Sequence, residues 1–158
     1  MEFKQALPLV LKHEGGLVDN PDDRGGITKY GISLRAYPHL GRSGIRNLTK
    51  EQAGEYYKTD YWLACNCDDL PTYIRYIVFD CAVNQGPSFA RKALQRCVGA
   101  SPDGIIGVKT LKAVKALTRD RLVHTYGKER AYRYMSNKKW DIFGHGWMSR
   151  LIDVLIKT

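Results

Sequence analysis

The segment from Glu14 to Ile32 limits this chain's fold more than any other. It holds two Gly-Gly pairs, the aspartates Asp19, Asp22 and Asp23, Thr28 and a Tyr30-Gly31 step, and little that can be buried. Glycine loses more backbone freedom on folding than any other residue, so paired glycines beside carboxylates mark backbone that bends sharply or comes close to a ligand. The segment reads as a shaped acidic loop, with room for a short β-ribbon at residues 28–33, and the core must come from elsewhere. A shaped acidic loop after a short helix is a candidate active site.

The rest of the chain is helical in pattern. Phe3, Ala6, Leu7, Val10 and Leu11 recur at three- and four-residue spacing, marking an amphipathic helix that ends at Glu14-Gly15. Thr49, followed by Glu51 and Gln52, caps a helix expected to run through Tyr61, and Pro71 closes a connection over residues 63–69. Ile74, Ile77, Val78, Cys81 and Ala82 share one stripe of a helix over 73–84, with Asp80 and Asn84 four apart on the next stripe. Further helices are expected at 88–97, 110–117, 119–137 and 143–156, with a turn-rich stretch at 99–107 and an interruption at Gly144-His145-Gly146. No repeat, low-complexity tract or Ser/Gly linker divides the chain, so one mainly α-helical domain over 1–158 is expected, its motif-bearing part at 1–70 and a helical part at 71–158.

At 158 residues such a domain buries about two thirds of its unfolded surface without staples. Twenty-five Lys plus Arg against 16 Asp plus Glu give a net charge of +9, which concentrates polyanions at the surface: nucleic acid, anionic lipid or bacterial cell wall. The basic residues are spread along the chain rather than gathered in one arm, and no zinc, helix-turn-helix or RNA-binding signature accompanies them, so nucleic acid is not an expected partner. Cys65, Cys67, Cys81 and Cys97 lack the CxxC or His pairing of a zinc site and read as reduced, mostly buried thiols. His13, His39, His124 and His145 show no metal-ligand spacing, and neither a metal nor another cofactor is expected. The N-terminal stretch has no signal-peptide pattern and no run reaches the length of a membrane span. The expected place is therefore the cytoplasm in which the chain is made, a monomer reaching any outside target by a separate export route.

Hydrolysis of a glycosidic bond needs one carboxylic acid to protonate the leaving oxygen and a second group to activate water or steady the oxocarbenium-like centre. Glu14 and Asp23 stand either side of a glycine turn that can fold them to opposite walls of a cleft. The end of an apolar-faced helix offers Glu14 partial withdrawal from water, which favours the protonated form a general acid needs. Asp23, in the polar loop, is expected to stay ionised, and Thr28 offers a hydroxyl to orient water. The same residues also allow a plainer reading, with Glu14 paired to Lys12 or Arg24 and the aspartates ending turns. A calcium site at Asp19, Asp22 and Asp23 would lack the regular spacing and closing Glu of a calcium loop.

The motifs Glu14-Gly15-Gly16, Pro21-Asp22-Asp23, Gly25-Gly26 and Thr28-Lys29-Tyr30-Gly31-Ile32 resemble the signature of glycoside hydrolase family 108, the N-acetylmuramidase endolysins of phages, with Arg24 where the family usually has proline. Downstream, Phe79-Asp80-Cys81-Ala82-Val83-Asn84-Gln85-Gly86-Pro87, Pro102-Asp103-Gly104-Ile105-Ile106-Gly107 and Gly146-Trp147 with Arg150 resemble the peptidoglycan-binding region that follows in such enzymes. The resemblance implies a mainly α, lysozyme-like fold with a small β lobe near 15–33, bacterial peptidoglycan as partner, and holin-dependent release from the host cytoplasm. It implies Glu14 as catalytic acid, and the Glu-Asp-Thr order of α-helical phage lysozymes implies Asp23 and Thr28 as its partners. Around them Asn84 and Gln85 carry amides able to read sugar substituents, and Tyr30 and Tyr57, with Tyr56 and Trp62, carry rings able to stack on sugar faces. A wall-binding or secretion-assisting protein without catalysis is the alternative from another class.

Overall fold

The N-terminal apolar stripe folds as α1 (Phe3–Glu14), with Ala6 and Val10 wholly buried, and it stops at Gly15. In the computed structural model, which describes residues 1–19 and 26–158, the acidic segment then returns on itself. Strands β1 (Thr28–Lys29) and β2 (Ile32–Ser33) pair antiparallel, Thr28 opposite Ser33, and Val18 bridges to Thr28 on the other side. Tyr30 and Gly31 join the strands with φ of 51° and 76°. Positive φ at both central residues is the two-residue hairpin turn whose twist matches the strands.

A 3₁₀ turn (Pro38–Leu40) and α2 (Gly41–Asn47) follow, two elements with no periodic signal in the sequence. Helix α3 (Lys50–Tyr57) opens on the expected cap: the Thr49 hydroxyl accepts from the Gln52 N–H at 3.2 Å and the Gln52 side chain from the Thr49 N–H at 2.9 Å. It does not continue to Tyr61 as an α-helix. A π-helical turn (Lys58–Trp62) and two 3₁₀ turns take over, and the buried Trp62 ring reaches Phe3 and Phe79, each 5.4 Å away, while its indole N–H donates to Asp68.

Helix α4 (Thr72–Gln85) is the axis of the molecule. Residues Ile74 and Tyr76 through Ala82 are all buried, so it is enclosed on every side, as a helix apolar all round must be. Against it pack α5 (Pro87–Cys97), α7 (Arg119–Met135) and α8 (Trp140–Lys157), while α6 (Val108–Ala116) meets α5 where Gln95 donates to Thr110, and buried side chains from α1 to α8 form one hydrophobic cluster. The interruption expected at Gly144-His145-Gly146 is absent, and α8 runs straight through it. Gly144 is there for packing: a methyl on it would stand 2.7 Å from the Trp140 ring one turn earlier. The four cysteines are unpaired, and burial pushes the Cys65 thiol up to about 12 and Cys81 to about 11, leaving both neutral at physiological pH. Among the described residues no helix is long and apolar enough to cross a membrane.

Candidate active site

Glu14 is the last residue of α1, and the chain turns away immediately because Gly15 adopts φ +76°, a conformation costly for a residue with a Cβ. Its side chain, 21% exposed, faces two things. One carboxylate oxygen, Oε1, accepts from Arg150 Nη1 at 2.8 Å. The other, Oε2, faces the tip of the ribbon and has no partner among the described residues. Gly31 is the contact point: a Cβ there would lie 3.1 Å from Oε2 and 2.2 Å from the Tyr57 hydroxyl. That hydroxyl donates to the Tyr30 carbonyl at 2.9 Å, fastening the turn over α3. Beside this junction a groove of about 810 Å³ runs along α1, lined by Leu7, Pro8, Leu11, Gly15 and Tyr30.

Behind Glu14 lies a layer that no local pattern announces. Asp80, fully buried on α4, receives Arg150 Nε at 3.0 Å and Nη2 at 2.8 Å on one oxygen, and Arg130 Nη2 at 2.7 Å on the other. Arg130, fully buried on α7, is also held by Gln85 at 3.0 Å and Tyr134 at 3.1 Å. Two cations and two anions thus alternate from Arg130 through Asp80 and Arg150 to Glu14, and each buried charge has an opposite neighbour. Burial alone would favour a neutral Asp80, but Arg130 and Arg150 outweigh it and hold its carboxyl below the ordinary range. Likewise burial opposes the Arg130 charge, and its surroundings, Asp80 foremost, more than restore it. His13, next to Glu14, is held below its ordinary range by burial first and then by the Arg150 cation.

The structure sorts the sequence candidates. Asp23 lies outside the described residues, as do Asp22 and Arg24. Thr28 is half-buried in the middle of the ribbon, its backbone bonded to Val18 by two bonds of 2.8 Å, and Tyr30, at the ribbon tip that meets Glu14, lines the groove. Tyr57 is not a stacking platform. Its ring is 2% exposed and edge-on to Phe79, its hydroxyl is spent on the turn, and burial pushes its ionisation well above the ordinary tyrosine range. Trp62 is withdrawn in the same way, wholly buried in the core. The Gln85 amide is turned into the protein, donating to the Arg130 carbonyl at 3.1 Å and accepting from Arg130 and from the Cys81 thiol at 3.3 Å. Asn84 accepts from the Tyr134 hydroxyl at 2.6 Å and borders a separate cavity one turn along α4. Asp19, weighed for calcium, is bound instead by Arg42 at 2.7 Å and by Arg46.

The residue missed in sequence is Arg130; Asp80 and Arg150 stand there as parts of motifs, without the pairing that joins them. The available signal was a charge at a core position: Arg150 sits among Trp147, Leu151 and Val154, and Asp80 among Ile77, Val78 and Cys81. Such residues are rarely buried unless paired.

A carboxylate ending the first helix, a small ribbon folded over it and a helical body closing behind define a mainly α, lysozyme-like protein. A family model described as "Glycosyl hydrolase 108" matches residues 7–86, and one described as "Predicted Peptidoglycan domain" matches residues 89–152. The solved structure of Brucella abortus SagA is similar over 98% of this chain and 92% of that one, at 36% identity and a TM-score of 0.88. No curated protein matches the chain. The chain belongs to the glycosyl hydrolase 108 family, and its second half is a peptidoglycan domain in which α7 and α8 supply the arginines behind Glu14.

Proposed function

We propose that this protein is a peptidoglycan hydrolase of the N-acetylmuramidase type, cutting the β-1,4 bond between N-acetylmuramic acid and N-acetylglucosamine with Glu14 as general acid. The observation that carries the proposal is the Glu14 carboxyl itself: one oxygen is fixed by Arg150, and the other faces the ribbon tip beside an open groove. A general acid must be held in one place and still reach the leaving oxygen. In this reading Thr28 orients the attacking water and Asp23 steadies the developing positive charge. The net charge of +9 draws the enzyme to anionic cell walls, an attraction that salt weakens.

The ion pair favours a second reading, since a guanidinium stabilises the charged form of a carboxyl and a pure wall-binding protein would have no need of a proton there. Glu14→Gln separates the two. The amide oxygen still accepts from Arg150, so folding is retained, but no proton can be donated. Reducing-end release from purified sacculi should fall about a hundredfold or more. Digestion by the unaltered protein in heavy-oxygen water should place the label on the reducing sugar of each product, read by mass spectrometry. Turnover by Glu14→Gln above about a tenth of the original would remove Glu14 from the role.

A further inference from the structure

The residues that hold Arg150 against Glu14 recur one turn further along the same three helices, and there they surround a second, smaller cavity. On α4, Asp80 is followed by Asn84; on α7, Arg130 by Tyr134 and Arg133; on α8, Arg150 is preceded by Trp147. Positions three and four apart lie on one helix face, so this cavity stands about one turn, ~5.4 Å, from the charged layer. Its volume is about 190 Å³, and Asn84, Gln85, Arg133, Tyr134, Asn137 and Trp147 line it.

What distinguishes the cavity is which hydrogen-bonding groups are already spent. The side-chain carbonyls already accept: Asn84 takes the Tyr134 hydroxyl at 2.6 Å, Asn137 takes the Lys139 N–H at 2.9 Å, and Gln85 takes Arg130 at 3.0 Å and the Cys81 thiol at 3.3 Å. The donors left over are one Gln85 N–H and, with no partner among the described residues, the Asn84 and Asn137 amide groups, the Trp147 indole N–H and the Arg133 guanidinium. Arg133 rests on the Phe89 ring, 5.4 Å from its centroid, and Trp147 is stacked on Tyr134 at 5.4 Å, so both are held in place. No carboxylate among the described residues lines the cavity. A small niche whose unpaired side-chain groups are donors, one of them a guanidinium, is complementary to a planar anion.

We propose that this niche is a subsite for a carboxylate carried on the peptidoglycan repeat next to the bond that Glu14 attacks. The proposal rests on the hydrolase reading for its choice of ligand. Two groups of the repeat supply such a carboxylate: the lactyl group of an unsubstituted N-acetylmuramic acid, and the stem peptide where the lactyl group is amide-linked. Arg133 and the two asparagines take the oxygens, and Trp147 flanks the chain that bears them.

The test is binding to the Glu14→Gln protein, followed by the indole and side-chain amide resonances of ¹⁵N-labelled material. Three probes are used: N-acetylmuramic acid, N-acetylmuramyl-L-alanyl-D-isoglutamine, and the same dipeptide with its carboxyl converted to an amide. Shifts at Trp147, Asn84 and Asn137 with either acid, weakened about tenfold or more by Arg133→Ala and only partly restored by Arg133→Lys, support the subsite. A response to N-acetylmuramic acid assigns it to the lactyl carboxylate, and a response to the dipeptide alone assigns it to the stem. Equal binding of the amidated dipeptide, or shifts elsewhere with none at these residues, overturns the proposal. Reducing-end release by the unaltered protein, measured in parallel, reports on the hydrolase reading separately.

Discussion

Glu14 stands between two regions built on opposite plans. In front of it, the ribbon and its turn are made of backbone: two strands of two residues, a tip with positive φ at Tyr30 and Gly31, and one hydroxyl from Tyr57 beneath. Behind it, the Arg130–Asp80–Arg150 layer is made of side chains, contributed by three helices and closed across 50 to 136 residues of sequence. The front locates the carboxyl by excluding atoms, since only a hydrogen fits where the Gly31 side chain would be. The back locates it by pairing charges. A carboxyl held between a steric stop and an electrostatic anchor is fixed in direction, and Gly15 and Tyr30 on either side of it line the groove.

The contrast predicts that the back fails by losing the fold and the front by losing activity. Arg130→Met has the largest expected effect on stability. It leaves Asp80 buried with one cation instead of two and strips Gln85 and Tyr134 of their partner, and breaking a buried pair from one side costs about 3–5 kcal/mol. Urea unfolding followed by circular dichroism should show it, and a loss under about 1 kcal/mol would mean that the layer does not anchor the fold. The same layer sets an acid limit. The folded-state carboxyl of Asp80 lies below its unfolded value of about 3.9, so the stability it contributes is fully present above that pH and is lost as pH falls through the folded value. The stabilities of the unaltered protein and Asp80→Asn should therefore converge below about pH 4, and parallel curves down to acid pH would exclude Asp80 as the group responsible.

Gly31→Ala tests the front. A left-handed alanine costs about 1–2 kcal/mol, and the added carbon would stand 2.2 Å from the Tyr57 hydroxyl, so the turn must lift and Glu14 lose its stop. Activity should fall by about a hundredfold, as 1 Å displacements of catalytic groups do, with stability reduced by about 2–3 kcal/mol. Adding Tyr57→Phe removes the nearest clashing atom, and the pair should recover part of both. An additive double variant would show that the hydroxyl is not what Gly31 makes room for.

The two regions were also unequally legible in the sequence. Glycine pairs, carboxylates and a Tyr-Gly step are local words, so the acidic segment, the end of α1 and the ribbon could all be read before the fold was in hand. The capping box at Thr49 and the apolar stripe of α4 were legible for the same reason. Arg130 and the pairing of Arg150 with Asp80 were not, because a charge in a helix ordinarily faces solvent and its partner here lies 50 or 70 residues away. Tyr57 and Trp62 read as rings able to stack, yet both lie in the core, because an aromatic ring reads alike whether it faces a ligand or the core, and the π-helical turn that carries Trp62 inward leaves no periodic mark.

The smallest expected effect sharpens the comparison most. Tyr57→Phe keeps the buried ring and its edge contact with Phe79, and it removes only the hydroxyl that fastens the Tyr30 carbonyl. Loss of one neutral hydrogen bond costs about 1 kcal/mol, so the melting temperature should drop by a few degrees. If the front works by position alone, kcat for sacculi should fall more than that stability loss accounts for, while binding of wall fragments stays unchanged. If instead kcat is untouched, Gly31 and the strands hold the tip unaided, and the steric stop over Glu14 belongs to the backbone alone.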